Sequence, residues 1–333
     1  MAFLSLEIRD ANKSIRMKIL ITGGTGFIGS HVVEVLVGAG HEIKVLTTAS
    51  TVHPNLKPLQ NKIELLRGDF GNKVLMEGYL AGVEMLIHLA WTTVPKEACD
   101  NPVYDAQTNL LGGLNLLEAC VNAQIKKVIF ISTGGALYGK PAYTPVDERH
   151  PLNPISAYGI SKMTFEYYLH FYYKNSGLDY LILRLANVYG PRQNLSQKQG
   201  VIGIWLDKIQ RQKPIEIWGD GQITRDYIHV YDIVSALTAL LEYKGAHKIF
   251  NLGCGRGISL NEILAIVKAL SPSAVQVNYL PLRSFDVKVN ILDIRRIENA
   301  VGWKAQIRLE DGIKTVWDWL VEKNQGFIAP RCS

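Results

Sequence analysis

The chain is 333 residues long, which allows one large α/β domain or two interleaved lobes around a sizeable core. Its 47% hydrophobic and 20% charged residues are ordinary for a globular protein, and a net charge of +6 without an aromatic-interleaved basic stripe excludes a nucleic-acid binder while favouring an anionic ligand. No run of 18 apolar residues is present, so no membrane span is expected, and Cys99, Cys120, Cys254 and Cys332 lack C-x-x-C spacing or a His cluster, so reduced thiols, a cytoplasmic location and no metal centre are expected.

Residues 1–16 carry Glu7 and Asp10 and no continuous apolar core, so they read as a tail rather than a secretory signal. Met17–Ser30, MKILITGGTGFIGS, opens as an apolar strand buried on both faces. Gly23, Gly26 and Gly29 then recur at every third residue, and a helical pattern follows through Val32, Val33 and Leu36. Strand, glycine turn and helix stand in the order a dinucleotide site needs. Glycines let a pyrophosphate approach the backbone, and the helix N-terminus offers unpaired N–H groups.

His41–Leu46 is the second strand, ending at Thr47. A dinucleotide fold usually carries an acid here for the adenosine ribose hydroxyls, and an Arg would suit a 2′-phosphate. Neither is adjacent, so NAD and NADP both remain open. Lys62–Leu66 and Glu84–Leu89 follow as strands, and their ends place Asp69, Leu89 and Ala90 at one crevice, with a helix N-cap as the competing role for Asp69. A helix over 104–123 and a strand at Lys127–Ser132 come next.

Ser132-Thr133-Gly134-Gly135 closes that fifth strand, and Tyr158 and Lys162 share one face of a helix over roughly 156–175. A Tyr needs its pKa lowered by about three units, roughly 4 kcal/mol, to act as a base near neutrality, and a nearby ammonium plus an oxidised nicotinamide ring would favour that. Leu181–Leu185 is the sixth strand. Beyond Gly190 the elements shorten, with helices at 200–211, 231–241, 260–270, 294–301 and 309–323 and strands at 214–218 and 248–252. Arg225 in TRDYIHV suits a diphosphate, since a guanidinium grips its oxygens in a fixed fork.

The set GGTGFIG (23–29), Asp69, HLA (88–90), Asn109, Tyr158 with Lys162, NVYGPR (187–192) and RDYIHV (225–230) resembles the extended short-chain dehydrogenase/reductases, and within them the nucleotide-sugar epimerases of the UDP-galactose 4-epimerase type. The likeness spans about residues 17–325. It implies a Rossmann-type doubly wound parallel sheet with a smaller mixed α/β lobe. The dinucleotide domain would comprise 17–186 and 228–253, and the nucleotide-sugar lobe 187–227 and 254–333.

The resemblance further implies tightly bound NAD, a UDP-hexose or UDP-N-acetylhexosamine as substrate, and a homodimer formed by helices 101–123 and 156–175. Tyr158 would be the acid/base and Lys162 the holder of the nicotinamide ribose. Gly23, Thr25, Gly26, Phe27, Ile28, Gly29, Thr47, Asp69, Phe70, Leu89, Ala90 and Asn109 would contact the cofactor. Asn187, Arg192, Val201, Arg225, Arg283, Asp286 and Asn290 would contact the nucleotide sugar. Asn290 stands where hexose-restricted relatives often carry a bulky Tyr, which suits an N-acetylated sugar.

One departure from the pattern is Gly134, where those relatives carry Ser or Thr. Thr133 is the expected substitute, with Ser132 beside it and strand-end capping as the competing role for both. Gly134-Gly135-Ala136 also lack the carboxylates of sugar dehydratases and decarboxylases, so elimination would have no acid or base. The alternative readings are an NADPH-dependent reductase of nucleotide-bound 4-keto-6-deoxysugars and a catalytically silent dinucleotide-binding regulator.

Overall fold

The computed structural model describes residues 16–49, 51–197, 199–282 and 287–325, so Arg283, Asp286 and nearly all of the tail lie outside the described residues. β1 (Lys18–Thr22) leads through the glycine turn into α1 (Phe27–Gly38), followed by β2 (Glu42–Thr47), β3 (Ile63–Arg67), α2 (Lys73–Leu80) and β4 (Met85–His88). Two short helices, α3 (Pro95–Asp100) and α4 (Pro102–Asp105), run through a π-helical stretch at Ala106–Leu111 into α5 (Gly112–Asn122). The leucine spacing that suggests one helix over 104–123 does not register this wider turn. β5 (Lys127–Thr133), α6 (Ala157–Ser176) and β6 (Asp179–Leu185) complete the first half.

Next come β7 (Asn187–Tyr189), α7 (Val201–Gln210), β8 (Ile215–Trp218), β9 (Thr224–His229), α8 (Val230–Leu240) and β10 (Ile249–Leu252). β11 (Gly257–Ser259), α9 (Leu260–Leu270), β12 (Val277–Leu280), β13 (Val289–Asn290), α10 (Arg295–Val301) and α11 (Leu309–Gln325) end the described chain.

The large sheet has strand order β10-β6-β5-β4-β1-β2-β3, and every neighbouring pair in it is parallel. This is the expected doubly wound arrangement. Its order reverses between β1 and β4, which opens a crevice at their C-terminal ends. The side-chain period of two sorts β1 between the faces: Ile19 and Ile21 join Val32, Val33 and Leu36 of α1, whereas Leu20 joins Leu86, Leu116 and Phe130. All of these are fully buried, each contributing about 1.5–3 kcal/mol.

The smaller lobe holds a four-stranded sheet, in which β9 pairs with β7, β11 and β13, and the β8–β12 pair. A third apolar cluster of Trp205, Leu206, Ile263 and Ile313 fills it. The chain therefore leaves the large sheet after β6 and returns to it at β10.

Candidate active site

The glycine turn packs so closely on the protein's own backbone that two of its positions admit no side chain. Gly23 has φ +71°, and a Cβ there would stand 2.6 Å from the Ala90 amide nitrogen; one on Gly29 would stand 2.2 Å from the Gly23 carbonyl oxygen. Gly26 caps α1 without a side-chain hydrogen bond, and the first turn holds no acid. The helix dipole and the first N–H groups therefore face an anion without competition, which fits a dinucleotide pyrophosphate. Leu89 and Ala90 border this turn, their amides donating to the Thr22 carbonyl (3.1 Å) and Thr22 Oγ1 (3.3 Å). Thr25, Phe27 and Ile28 lie in the turn and the first turn of α1.

At the adjoining strand ends, Thr47 is buried and Phe70 packs in the core, while Asp69 accepts the Gly71 amide at 2.8 Å. The N-cap role weighed for Asp69 belongs to Asn72, which accepts from Leu75. Asn109 is brought to the same crevice, but its amide is fully engaged inside the protein. It accepts from the Thr92 amide at 2.8 Å and donates to Asp105 at 2.9 Å and Thr93 at 3.2 Å. Asn109 thus shapes the loop after β4 through these bonds. Asp105 also accepts from Thr93 and, at 2.5 Å, from Ser161 of α6. The π-helical stretch between Asp105 and α5 sits in this cluster, a location π-turns often occupy.

Tyr158 and Lys162 lie one turn apart on α6, opened by Ser156, which accepts the Gly159 amide at 3.1 Å. Lys162 donates to the Ile131 carbonyl at 2.8 Å and lies 3.9 Å from the centroid of the Trp91 ring. Burial pushes its pKa down to about 7, with Glu166 and Asp105 acting in the opposite direction. Burial, aided by Asp105, holds the Tyr158 phenol well above its ordinary value.

Of the two charges expected to favour the Tyr158 phenolate, an ammonium and an oxidised nicotinamide ring, the protein itself supplies only Lys162, which does not by itself offset burial. Its ammonium is drawn toward Ile131 and Trp91, 5.9 Å from the Tyr158 ring centroid, and desolvation outweighs it. The sequence reading missed Trp91, whose ring also meets Tyr158 edge-on with centroids 6.2 Å apart. It missed Asp105 as well. The position of Trp91 directly after His88-Leu89-Ala90 was the only available signal.

The two hydroxyls at the end of β5 have different fates. Ser132 is buried and donates to Glu166 at 2.5 Å. That carboxylate is gripped by Arg184, with Nη2 at 2.6 Å and Nε at 3.1 Å, and Arg184 also reaches the Tyr138 hydroxyl at 2.9 Å. Ser132 therefore belongs to a buried network one turn beyond Lys162 on α6. Thr133 Oγ1 accepts the amides of Gly135 and Ala136, both at 3.2 Å, which leaves its hydroxyl proton as a donor. Strand-end capping and a catalytic hydrogen bond are compatible in Thr133.

Leu292 accounts for the glycine at 134. A Cβ there would lie 2.6 Å and 2.9 Å from the two Leu292 methyl carbons. Asn290, two residues before Leu292, is buried and donates to the Gly134 carbonyl at 3.3 Å. It thus meets the end of β5.

Among the other residues expected at the substrate, Arg225 is half-buried on β9, with Nη1 3.0 Å from the Thr224 carbonyl. Asn187 donates to the Asp226 carbonyl at 3.1 Å, and Val201 opens α7. Arg192 turns onto α1, pairing with Glu34 at 2.6 Å from a backbone at φ +69°. Among the described residues no group of His, Cys, Asp and Glu could hold a metal, and no helix is long and apolar enough to cross a membrane.

Residues 19–253 match the model of the NAD dependent epimerase/dehydratase family. A Methanocaldococcus jannaschii protein, provisionally named a UDP-glucose 4-epimerase, is 40% identical over 309 residues, covering 92% of this chain and 99% of that protein. The Thermotoga maritima UDP-glucose 4-epimerase, solved with UDP-glucose, superposes with a TM-score of 0.87 at 36% identity, over 92% of this chain and 100% of that one. The UDP-N-acetylglucosamine 4-epimerase of Methanobrevibacter ruminantium, in complex with UDP-N-acetylmuramic acid, gives 0.87 at 29% identity, over 92% and 99%. With the glycine turn, the Tyr158–Lys162 face and the doubly wound sheet already in place, this chain belongs to the NAD dependent epimerase/dehydratase family.

Proposed function

We propose that the chain is a nucleotide-sugar 4-epimerase that interconverts UDP-glucose and UDP-galactose through a 4-keto sugar. The observation that supports this reading is that α6 carries Tyr158 one turn before the buried Lys162, whose ammonium is fixed to the Ile131 carbonyl of β5, the strand that ends in Thr133. Among the described residues no protein group holds the Tyr158 phenol by a hydrogen bond, and the hydroxyl proton of Thr133 is uncommitted.

NAD held along the glycine turn would supply a hydride acceptor and donor for C4 of the sugar and, when oxidised, a positive charge that favours phenolate. Tyr158 takes the proton from the sugar 4-hydroxyl as C4 is oxidised and returns it to the same oxygen when C4 regains a hydride on its opposite face. Thr133 donates to the oxygen at C4 as the carbonyl develops, an interaction stronger in the transition state than in the ground state. Lys162, held by Ile131 and Trp91, stands ready for the ribose of the cofactor. Arg225 and Asn187 serve the diphosphate from the smaller lobe, and its 187–227 and 254–333 segments form the sugar-binding side.

Incubation with UDP-galactose should yield UDP-glucose without consumption of added NADH or NADPH. Stoichiometric oxidation of NADPH with a 4-keto-6-deoxysugar would favour a reductase instead, and a protein inert to both would be a regulator. Turnover of UDP-N-acetylglucosamine tests the N-acetyl reading of Asn290 in the same assay.

The protein also works as a homodimer in this reading. Val103, Tyr104 and Leu111 before α5, and Ile160, Tyr167 and Phe171 on α6, are exposed by 48–65% and present an apolar face. Light scattering at micromolar concentration should report twice the chain mass of 37.1 kDa, and a monomer would remove the dimer.

A further inference from the structure

Thr47 and Arg67 are twenty positions apart in the chain and neighbours in the fold. They are partners in the parallel β2–β3 ladder, at its C-terminal end. That edge of the crevice is where a dinucleotide fold receives the adenosine ribose.

A cavity of ≈410 Å³ opens there, walled by Thr47, Ala49, Thr51, Leu66, Arg67 and Tyr79 among others. Its size is that of a small-molecule pocket, about 300–1,000 Å³. No carboxylate lines it. Thr47 Oγ1 accepts the Ala49 amide at 3.1 Å, so its hydroxyl proton is a donor. The Arg67 side chain is exposed, and among the described residues its guanidinium makes no hydrogen bond or ion pair.

The acids nearest in sequence have other partners: Glu64 pairs with Lys44 at 3.5 Å, and Asp69 accepts the Gly71 amide at 2.8 Å. Tyr79 donates to the Arg67 carbonyl at 2.9 Å, which fixes the backbone that carries the guanidinium.

We propose that this cavity accepts a 2′-phosphate on the adenosine ribose, so that the protein binds NADP(H) as well as NAD(H), with Arg67 as the phosphate-gripping residue and Thr47 as a second donor. An acid at the end of β2 favours a 2′-hydroxyl in two ways: it accepts from it, and it repels a phosphate. Thr47 does neither. A free guanidinium across the ladder adds a bidentate, charge-assisted partner for the phosphate. The proposal rests on the dinucleotide lying along the glycine turn, as the function above requires.

The test is equilibrium binding of NADH and NADPH to dinucleotide-stripped protein, followed by energy transfer from the tryptophans. Both ligands should bind, with Kd values within about tenfold of each other, and the NADPH value alone should rise steeply with salt. Arg67→Ala should weaken NADPH by about tenfold or more and leave NADH within about twofold. Thr47→Asp should weaken NADPH further while NADH still binds, which shows the variant is folded. NADPH binding about a hundredfold weaker than NADH in the unaltered protein, or an Arg67→Ala effect equal on both ligands, would overturn the proposal. Failure of both dinucleotides to bind would instead overturn the reading of the glycine turn itself.

Discussion

Gly134→Ser would restore a hydroxyl at the position where the galactose-epimerase pattern carries one, and Leu292 decides whether the fold tolerates it. A Cβ at 134 meets the Leu292 methyl carbons at 2.6 Å and 2.9 Å and the Leu185 carbonyl oxygen at 3.2 Å. Leu292 is fully buried with Tyr138 and Val146, and its amide donates to Asp226 at 3.3 Å, so its backbone has little room to retreat. Overpacking of this kind costs about 1–3 kcal/mol, and Leu292→Ala alone should cost about 2–5 kcal/mol by leaving a cavity.

In the double variant the clashing methyls are gone and the new side chain occupies part of the space. The two changes should therefore be less destabilising together than their sum, by about 1 kcal/mol or more. Urea unfolding of the parent, both single variants and the double variant closes the cycle. Activity adds a second measure: Thr133→Val should cost less in the double-variant background, where another hydroxyl stands nearby. Additivity within about 0.5 kcal/mol would refute the claim that Leu292 excludes a side chain at 134.

Tyr158→Phe should lower kcat by about 10²–10⁴-fold while the purified protein keeps its dinucleotide, read by absorbance after heat release; an unchanged kcat removes Tyr158 from the chemistry. Thr133→Val should lower kcat by about 10²-fold with little change in KM. Ser132→Ala should leave kcat within a few-fold but destabilise by about 1.5–3 kcal/mol through Glu166, so equal kcat losses for the two would contradict the division drawn between them. Arg184→Met should destabilise by about 3–5 kcal/mol because it strands the Glu166 carboxylate, whose side chain is 4% exposed, and pairing it with Glu166→Leu should recover most of that. No recovery would mean the network supplies more than charge compensation. Asp226 is pushed up to about 6 by burial, against the opposing amides of Cys254, Leu292 and Gly255. A carboxyl whose folded pKa is raised stabilises the fold below its unfolded pKa and loses that contribution as pH rises through about 6. Relative to Asp226→Asn, the parent should therefore lose about 3 kcal/mol between pH 4 and pH 7, two units at about 1.4 kcal/mol each. A flat difference across that range would refute the assignment.

Much of this protein was legible in one dimension because its signals are local. Ile19-Leu20-Ile21 followed by three glycines and a helical pattern needs no tertiary information, and neither does the one-turn spacing of Tyr158 and Lys162. What stayed hidden depends on contacts between segments far apart in the chain. Thr47 lacks an Arg in sequence and finds Arg67 across a strand ladder.

Gly134 reads as a lost hydroxyl, and only the approach of Leu292 from the far end of the chain supplies a reason for it. Ser132 and Thr133 are chemically alike and adjacent, but alternation across β5 sends one to Glu166 and leaves the other its proton. Burial and the Asp105 carboxylate, which hold the phenol above its ordinary value in the protein alone, are likewise properties of the packed state. Short-range sterics and periodicity thus determined the scaffold and where its reacting groups lie, whereas long-range packing and desolvation decided which atoms those groups leave free to react.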